Sequence, residues 1–286
     1  MGTSINTSVM IREHKLLIDK QCPMCQVYGR AFVKTGLLDE DSICAYQETP
    51  LSSNIQVDFD RAKDEIALYD SKSGKTTYGL HTLVKIISHK YPFLNSMLNS
   101  NIIFKPLNLL YKFISSNRKV IAPSRPLAGD ARVCEPSFSL ANRIAYIVFV
   151  ALVTAVIVNA YTSHLFPHFG WKSDIKTELM ICFGQVLWQG MAISFIDNKN
   201  RMNYLGNMST VSMIGGILLL PLLLVLSFST PPLPVLLVLF FMVISVMFFE
   251  HIRRCKLLNI SLWMTVSWVS FRTVALAILI FTKEFL

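Results

Sequence analysis

The chain has 286 residues, 52% of them apolar and only 16% charged, which is too apolar for an ordinary soluble protein and long enough for two domains. The net charge of +9 would suit nucleic acid, but the excess sits in short loops and beside apolar runs, where membrane topology accounts for it. Residues 1–135 carry 17 Lys/Arg against 13 Asp/Glu and read as a polar domain, whereas residues 136–286 carry 10 against 5 and read as a membrane protein.

In chain order, Met1 to Lys15 is polar and lacks an apolar core, so no signal peptide is expected there. Met1-Gly2-Thr3-Ser4-Ile5-Asn6 begins like a myristoylation site but carries Asn6 where Ser or Thr is needed. Leu16-Leu17-Ile18 is a short apolar strand that runs through Asp19-Lys20-Gln21 into Cys22-Pro23-Met24-Cys25. Pro23 suits the first helical position, and the sequence onward to Lys34 and Gly36 continues as a helix. Cys22 then stands at a helix N-terminus, where unpaired N–H groups and the dipole favour a thiolate. Residues 42–47 predict a second strand, parallel to the first through the intervening helix. Residues 50–64 leave room for a short helix at most. Residues 65–70 and 75–78 flank Ser71-Lys72-Ser73-Gly74 as an antiparallel hairpin. Leu80, Leu83, Val84 and Ile87 give a helix closed by Pro92, and Leu107, Leu110, Tyr111 and Ile114 give another. Pro123, Pro126, Gly129 and Pro136 mark a linker.

Asp19-x-x-Cys22-Pro23-x-Cys25 resembles the signature of the DCC-family thiol-disulfide oxidoreductases, which are thioredoxin-like. Residues 70–79, with Gly79, resemble that family's hairpin, and Tyr111 with Asn117-Arg118 is similar to its closing helix. The likeness spans residues 15–120. It implies an α/β thioredoxin-like domain in which Cys22 attacks a disulfide, Cys25 resolves the mixed disulfide, and Asp19 is a nearby acid or base. The expected partners are a protein or small-molecule disulfide, a thiol reductant and membrane lipid; no cofactor, metal or nucleic acid is expected. One departure is that the cis-proline loop facing the thiols in many thioredoxin-like proteins has only Pro50 as a candidate.

After the linker, apolar runs near residues 144–164, 177–196, 208–228, 234–249 and 260–281 are each near the roughly 20 residues needed to span a bilayer. The fourth is short, so it and the third could form a re-entrant hairpin; Pro221 predicts a kink in the third. The organisation expected is therefore a thioredoxin-like domain over 1–121, a linker over 122–142 and an all-α transmembrane domain over 143–286. Arg118, Lys119, Arg125, Arg132, Arg143, Lys199, Arg201, Arg253, Arg254 and Lys256 fall on one side of the bilayer, and Lys172, Lys176 and Lys283 on the other. That bias puts the thiol domain in the cytoplasm of a cell whose inner membrane holds the helices.

Several residues carry competing readings. A Cys-x-x-Cys pair is also half of a zinc site, which Cys44 and His81 would have to complete. Asp19 is either a helix-capping carboxylate or a proton-transfer group, and the latter requires burial or partial protonation because its charge opposes a neighbouring thiolate. Cys134, Cys182 and Cys255 are isolated in sequence. His164, His168 and His251 do not fall at one depth, which disfavours haem ligation. Arg272 near the middle of the fifth span needs polar company, for which Gln185 and Gln189 are the candidates. Residues 250–254 read as an interfacial anchor. The alternative to an enzyme is a non-enzymatic redox-sensing or metal-binding regulatory membrane protein.

Overall fold

A computed structural model of the chain describes residues 14–48, 57–125, 134, 136–229 and 231–284. Residues 1–6, Pro50, Pro126, Gly129 and Arg132 lie outside these. The chain divides into two compact units, Met1–Ser139 and Leu140–Leu286.

In the first unit, β1 (His14–Ile18) is followed by α1 (Pro23–Lys34), β2 (Ile43–Ala45), α2 (Phe59–Ala62), β3 (Ala67–Asp70), β4 (Thr76–Tyr78), α3 (Leu80–Lys90), α4 (Phe93–Leu98) and α5 (Asn101–Ile121). The strands form one mixed sheet in the order β2-β1-β3-β4. β1 pairs parallel with β2, Leu16 opposite Ile43, and antiparallel with β3, Leu16 opposite Leu68; β3 and β4 are the antiparallel hairpin. Alternation along the strands sends side chains to opposite faces. Leu16 and Leu68 pack with Leu37, Leu38, Ile66 and Ile86, against which Tyr28 and Phe32 of α1 and Tyr111 of α5 also lie. Leu17 and Ala67 point the other way, into a second cluster with Tyr46, Ala62 and Cys134.

Two helices differ in extent from the pattern in the sequence. α5 starts at Asn101, earlier than the Leu107 repeat indicates, and α4 was not evident, because Phe93 and Met97 are exposed and leave no buried periodicity to read. Gly79, at φ 64°, turns the chain from β4 into α3, and a β-carbon there would meet Glu65 Oε2 at 2.9 Å.

The second unit contains α6 (Leu140–Leu165), α7 (Ile175–Ile196), α8 (Arg201–Leu226), α9 (Leu233–Leu257) and α10 (Trp263–Glu284), all five long and apolar enough to cross a membrane. This is a helical membrane domain. α6 packs against α7 and α8, α8 against α9, and α7 against α10. α8 and α9 approach closely at Gly215, where a β-carbon would lie 2.3 Å from Met247 Sδ. α8 runs as one helix through Pro221. The fourth span is not short: α9 has 25 residues, because the charged segment 250–254 continues the helix. At 1.5 Å per residue α9 is roughly 37 Å long, and by length and composition it qualifies as a crossing helix.

Candidate active site

The strand β1 ends at Ile18 because Asp19, Lys20 and Gln21 turn the chain, with Cys22 N–H donating to Asp19 O at 3.1 Å. Cys22 is the N-cap of α1, Pro23 follows inside the first turn, and Gln26 N–H donates to Cys22 O at 3.1 Å. The turn is held from just beyond β2: Gln47, which is buried, donates through Nε2 to Asp19 Oδ1 at 2.7 Å and accepts from Lys20 N–H through Oε1 at 3.2 Å. In the sequence Gln47 was no more than the end of a strand. Its role follows from the parallel pairing, which brings residues 28 positions apart side by side.

Cys22 and Cys25 are both buried, with Cys22 wholly enclosed. The Cys22 thiol is lowered to about 6: the side-chain hydrogen bond from Cys25 is the main cause, burial opposes it, and the Cys25 N–H and the Arg118 charge assist. The Cys25 thiol is pushed far up, first by that shared hydrogen bond and then by burial. The helix start thus acts chiefly by presenting the second thiol, one turn on, as a donor to the first. Tyr28, one further turn along α1, hydrogen-bonds Cys25, and burial holds its phenol well above the usual range. The spacing Cys22, Cys25, Tyr28 is a single helix face.

Asp19 is buried but does not cap α1. Its Oδ1 accepts from Gln21 N–H at 2.9 Å and from Gln47, and its Oδ2 faces Lys119 Nζ at 3.3 Å. The capping alternative is therefore replaced by a turn-bracing carboxylate with an ion-pair partner on α5.

α5 supplies the other half of the site through Tyr111, Ser115 and Arg118, which share one face at i, i+4 and i+7. Tyr111 OH accepts from Ile66 N–H at 2.9 Å, Ser115 Oγ donates to Asp64 O at 2.6 Å, and Arg118 donates to Lys63 O and to Asp64 O. The helix thereby grips the turn before β3. Arg118 is buried; burial disfavours its charge, but Cys134, Cys25 and Cys22 outweigh that and raise its pKa. Cys134 is not isolated: its Sγ lies 3.4 Å from Arg118 Nη2. The sequence could not show this, because Cys134 is 16 residues beyond Arg118 across a linker. Among the described residues, no three His, Cys, Asp or Glu side chains converge as a metal set, and His81 instead lies against Phe104.

The membrane unit holds a separate polar cluster. Tyr204 OH donates to Gln189 Oε1 at 2.7 Å and meets His251 Nε2 at 3.1 Å; His251 Nδ1 meets Thr265 Oγ1 at 2.9 Å, and its ring stacks on Trp268. Gln189 also donates to Ser267, so it is not the partner of Arg272. Arg272 lies over Trp268 and lines, with Gln185, Thr154, Cys182, Ser209 and Ser212, a cavity of about 10 Å³. Both polar atoms of Gln185 are buried there without a hydrogen-bond partner.

Comparison of the chain with family models, with curated proteins and with solved structures returned no match.

Proposed function

We propose that the protein is a membrane-anchored thiol-disulfide oxidoreductase in which the Cys22 thiolate attacks a disulfide and Cys25 resolves the resulting mixed disulfide. The observation that carries this reading is the placement of the pair, Cys22 as the N-cap of α1 and Cys25 one turn on, both buried, where their shared hydrogen bond lowers the Cys22 thiol. In the forward step Cys22 Sγ bonds one sulfur of the substrate and expels the other as a thiolate. Cys25 then attacks Cys22 Sγ, expelling the second substrate thiol and leaving the Cys22–Cys25 disulfide. Its proton goes to the departing sulfur, and Asp19 is the neighbouring carboxylate proposed to assist. A thiol reductant returns the pair to the dithiol.

A thioredoxin-like assignment of the first unit, of the DCC type, draws support from the parallel β1-α1-β2 unit, the following antiparallel hairpin and the Cys-x-x-Cys at the start of α1. The basic residues at the N-terminus of α6, at the α7–α8 connection and at the end of α9 support a cytoplasmic thiol domain on an inner membrane, where the pair would rest reduced. The complete enclosure of Cys22 favours a second reading, a redox sensor whose thiols report to the helical domain without turnover. Turnover of a small disulfide reporter by the full-length protein in detergent, with a dithiol reductant, distinguishes the two: sustained turnover that disappears in Cys22→Ser supports the enzyme, and stoichiometric oxidation without turnover supports the sensor.

A further inference from the structure

The guanidinium of Arg118 is an unusual charge. It is 93% buried, its Nε has no hydrogen-bond partner, and among the described residues no carboxylate lies within ion-pairing distance. Its donors reach two main-chain carbonyls, of Lys63 and Asp64, and one sulfur, that of Cys134. A buried cation without an anion is costly. The groups near it able to become anionic are three thiols, Cys134 at 3.4 Å and Cys22 and Cys25, and the phenol of Tyr28, which burial holds well above its usual range and so keeps neutral.

Cys134 and Ser137 are both held to the turn before β3, Cys134 with its Sγ 3.9 Å from Lys63 O. Ser137 donates to Asp64 through both its N–H and its hydroxyl, the latter at 2.8 Å. Asp64 O is in turn held by Ser115 and Arg118, so Ser137, the turn before β3 and the end of α5 form one knot. Cys134 itself is packed with Leu17, Tyr46, Ala62 and Ala67. A residue of a plain connecting segment does not need this enclosure; it is held where the charge of Arg118 reaches three sulfurs.

We propose that Cys134 is a third exchanging thiol, which captures Cys22 in a Cys22–Cys134 disulfide beside Arg118. The inference rests on the redox reading of Cys22 and Cys25. Starting from the Cys22–Cys25 disulfide, Cys134 Sγ attacks Cys22 Sγ, the Cys22–Cys134 bond forms, the Cys22–Cys25 bond breaks, and the proton leaving Cys134 passes to Cys25. One disulfide replaces another, so no oxidant is consumed. In the reduced protein burial holds the Cys134 thiol up at about 12, so it rests protonated and Cys22 is the resting nucleophile. Once Cys22 and Cys25 are joined, they no longer offer the guanidinium an anion, and Cys134 is the sulfur left at hydrogen-bond distance. Arg118 then acts as a positioning residue that favours the Cys134 thiolate at the moment it is needed. The consequence is a closed form in which the linker to the membrane helices is covalently tied to the thiol site, and an open form in which it is not.

The test uses full-length protein in detergent, oxidised with diamide, which accepts the two electrons of each thiol pair, and then mapped as peptides without reduction. In Cys25→Ser we expect a Cys22–Cys134 linked peptide as the main product, lost in Cys25→Ser/Cys134→Ala, and reduced several-fold in Cys25→Ser/Arg118→Met. In the wild type the same peptide should appear as a minority beside Cys22–Cys25 and exchange with it at constant total disulfide. Should Cys25→Ser not fold, the wild-type map decides. Finding only Cys22–Cys25 in the wild type, or in Cys25→Ser only links from Cys22 to Cys44 or between molecules, overturns the role of Cys134. If the wild type forms no disulfide at Cys22 at all, the oxidoreductase reading fails as well, which is a separate outcome.

Discussion

Lys119 Nζ lies 3.3 Å from the carboxylate of Asp19, a side chain almost completely withdrawn from solvent. The pair joins the last turns of α5 to the turn that delivers Cys22, and it balances the negative charge nearest the reactive thiol. Asp19, held by Lys119, Gln21 and Gln47, opposes the Cys22 thiolate, but more weakly than Cys25 and Arg118 favour it.

The first expectation follows from the lowered Cys22 thiol. The folded value, about 6, lies below the ordinary 9.0, so the stabilisation this group gives is fully present above about pH 9 and fades as pH falls through about 6. Iodoacetamide labelling resolved by mass spectrometry should show Cys22 reacting ahead of Cys25 between those limits. Faster labelling of Cys25 at mildly acidic pH would reverse the assigned roles.

Arg118→Met removes a charge that lowers Cys22. The midpoint of Cys22 labelling against pH should rise. Thermal stability should also fall, because two main-chain carbonyls lose a charged donor, each such bond being worth about 1.5–3 kcal/mol. A lower melting temperature with an unmoved labelling midpoint would show that Arg118 is structural alone.

Gly79→Ala tests the turn between β4 and α3. Gly79 combines φ 64° with ψ −142°, a region that side-chain-bearing residues rarely enter, so a β-carbon there costs about 1–3 kcal/mol, and it would also press on Glu65. Chemical unfolding should register a loss of at least that size, whereas Gly74→Ala, at similar φ but with open space, should lose only the backbone part. Equal losses at the two positions would remove the steric argument.

In the membrane unit, Gln185→Leu replaces a buried amide that lacks partners. Removing such a group is worth about 1–3 kcal/mol, so the melting temperature in detergent should rise. A fall would mean that the amide is satisfied in place, by a single water or by Arg272, since the cavity they share has room for no larger ligand.

Topology decides which redox compartment the thiols meet. Small neutral iodoacetamide reaches the enclosed Cys22 through local opening, but a bulky charged maleimide does not, so exposed substitutions are the better topology reporters: Ser71→Cys on the hairpin turn and Lys172→Cys between α6 and α7. Membrane-impermeant maleimide on intact cells, or on spheroplasts where there is an outer membrane, should label Lys172→Cys and spare Ser71→Cys until lysis. The opposite pattern would place the thiol domain outside and favour an oxidant over a reductase.

The local parts of this protein were legible in its amino acids. Pro23 after Cys22, the glycine-ended hairpin and five apolar runs each act over a few residues, so spacing alone located α1, β3, β4 and the membrane helices. The end of α9 was harder, because the charges at residues 250–254 hide a helix whose Arg254 is buried by pairing with Glu250 and Asn207. What no local pattern carries is which distant side chains meet. Gln47 reaches Asp19 through strand pairing, Lys119 reaches it from α5, and Cys134 reaches Arg118 because Ser137 anchors the linker to Asp64. Those meetings balance the charge of Asp19 and place the Arg118 cation where it interacts with three thiols. They depend on burying polar groups with particular partners, a condition that packing sets and residue order alone does not.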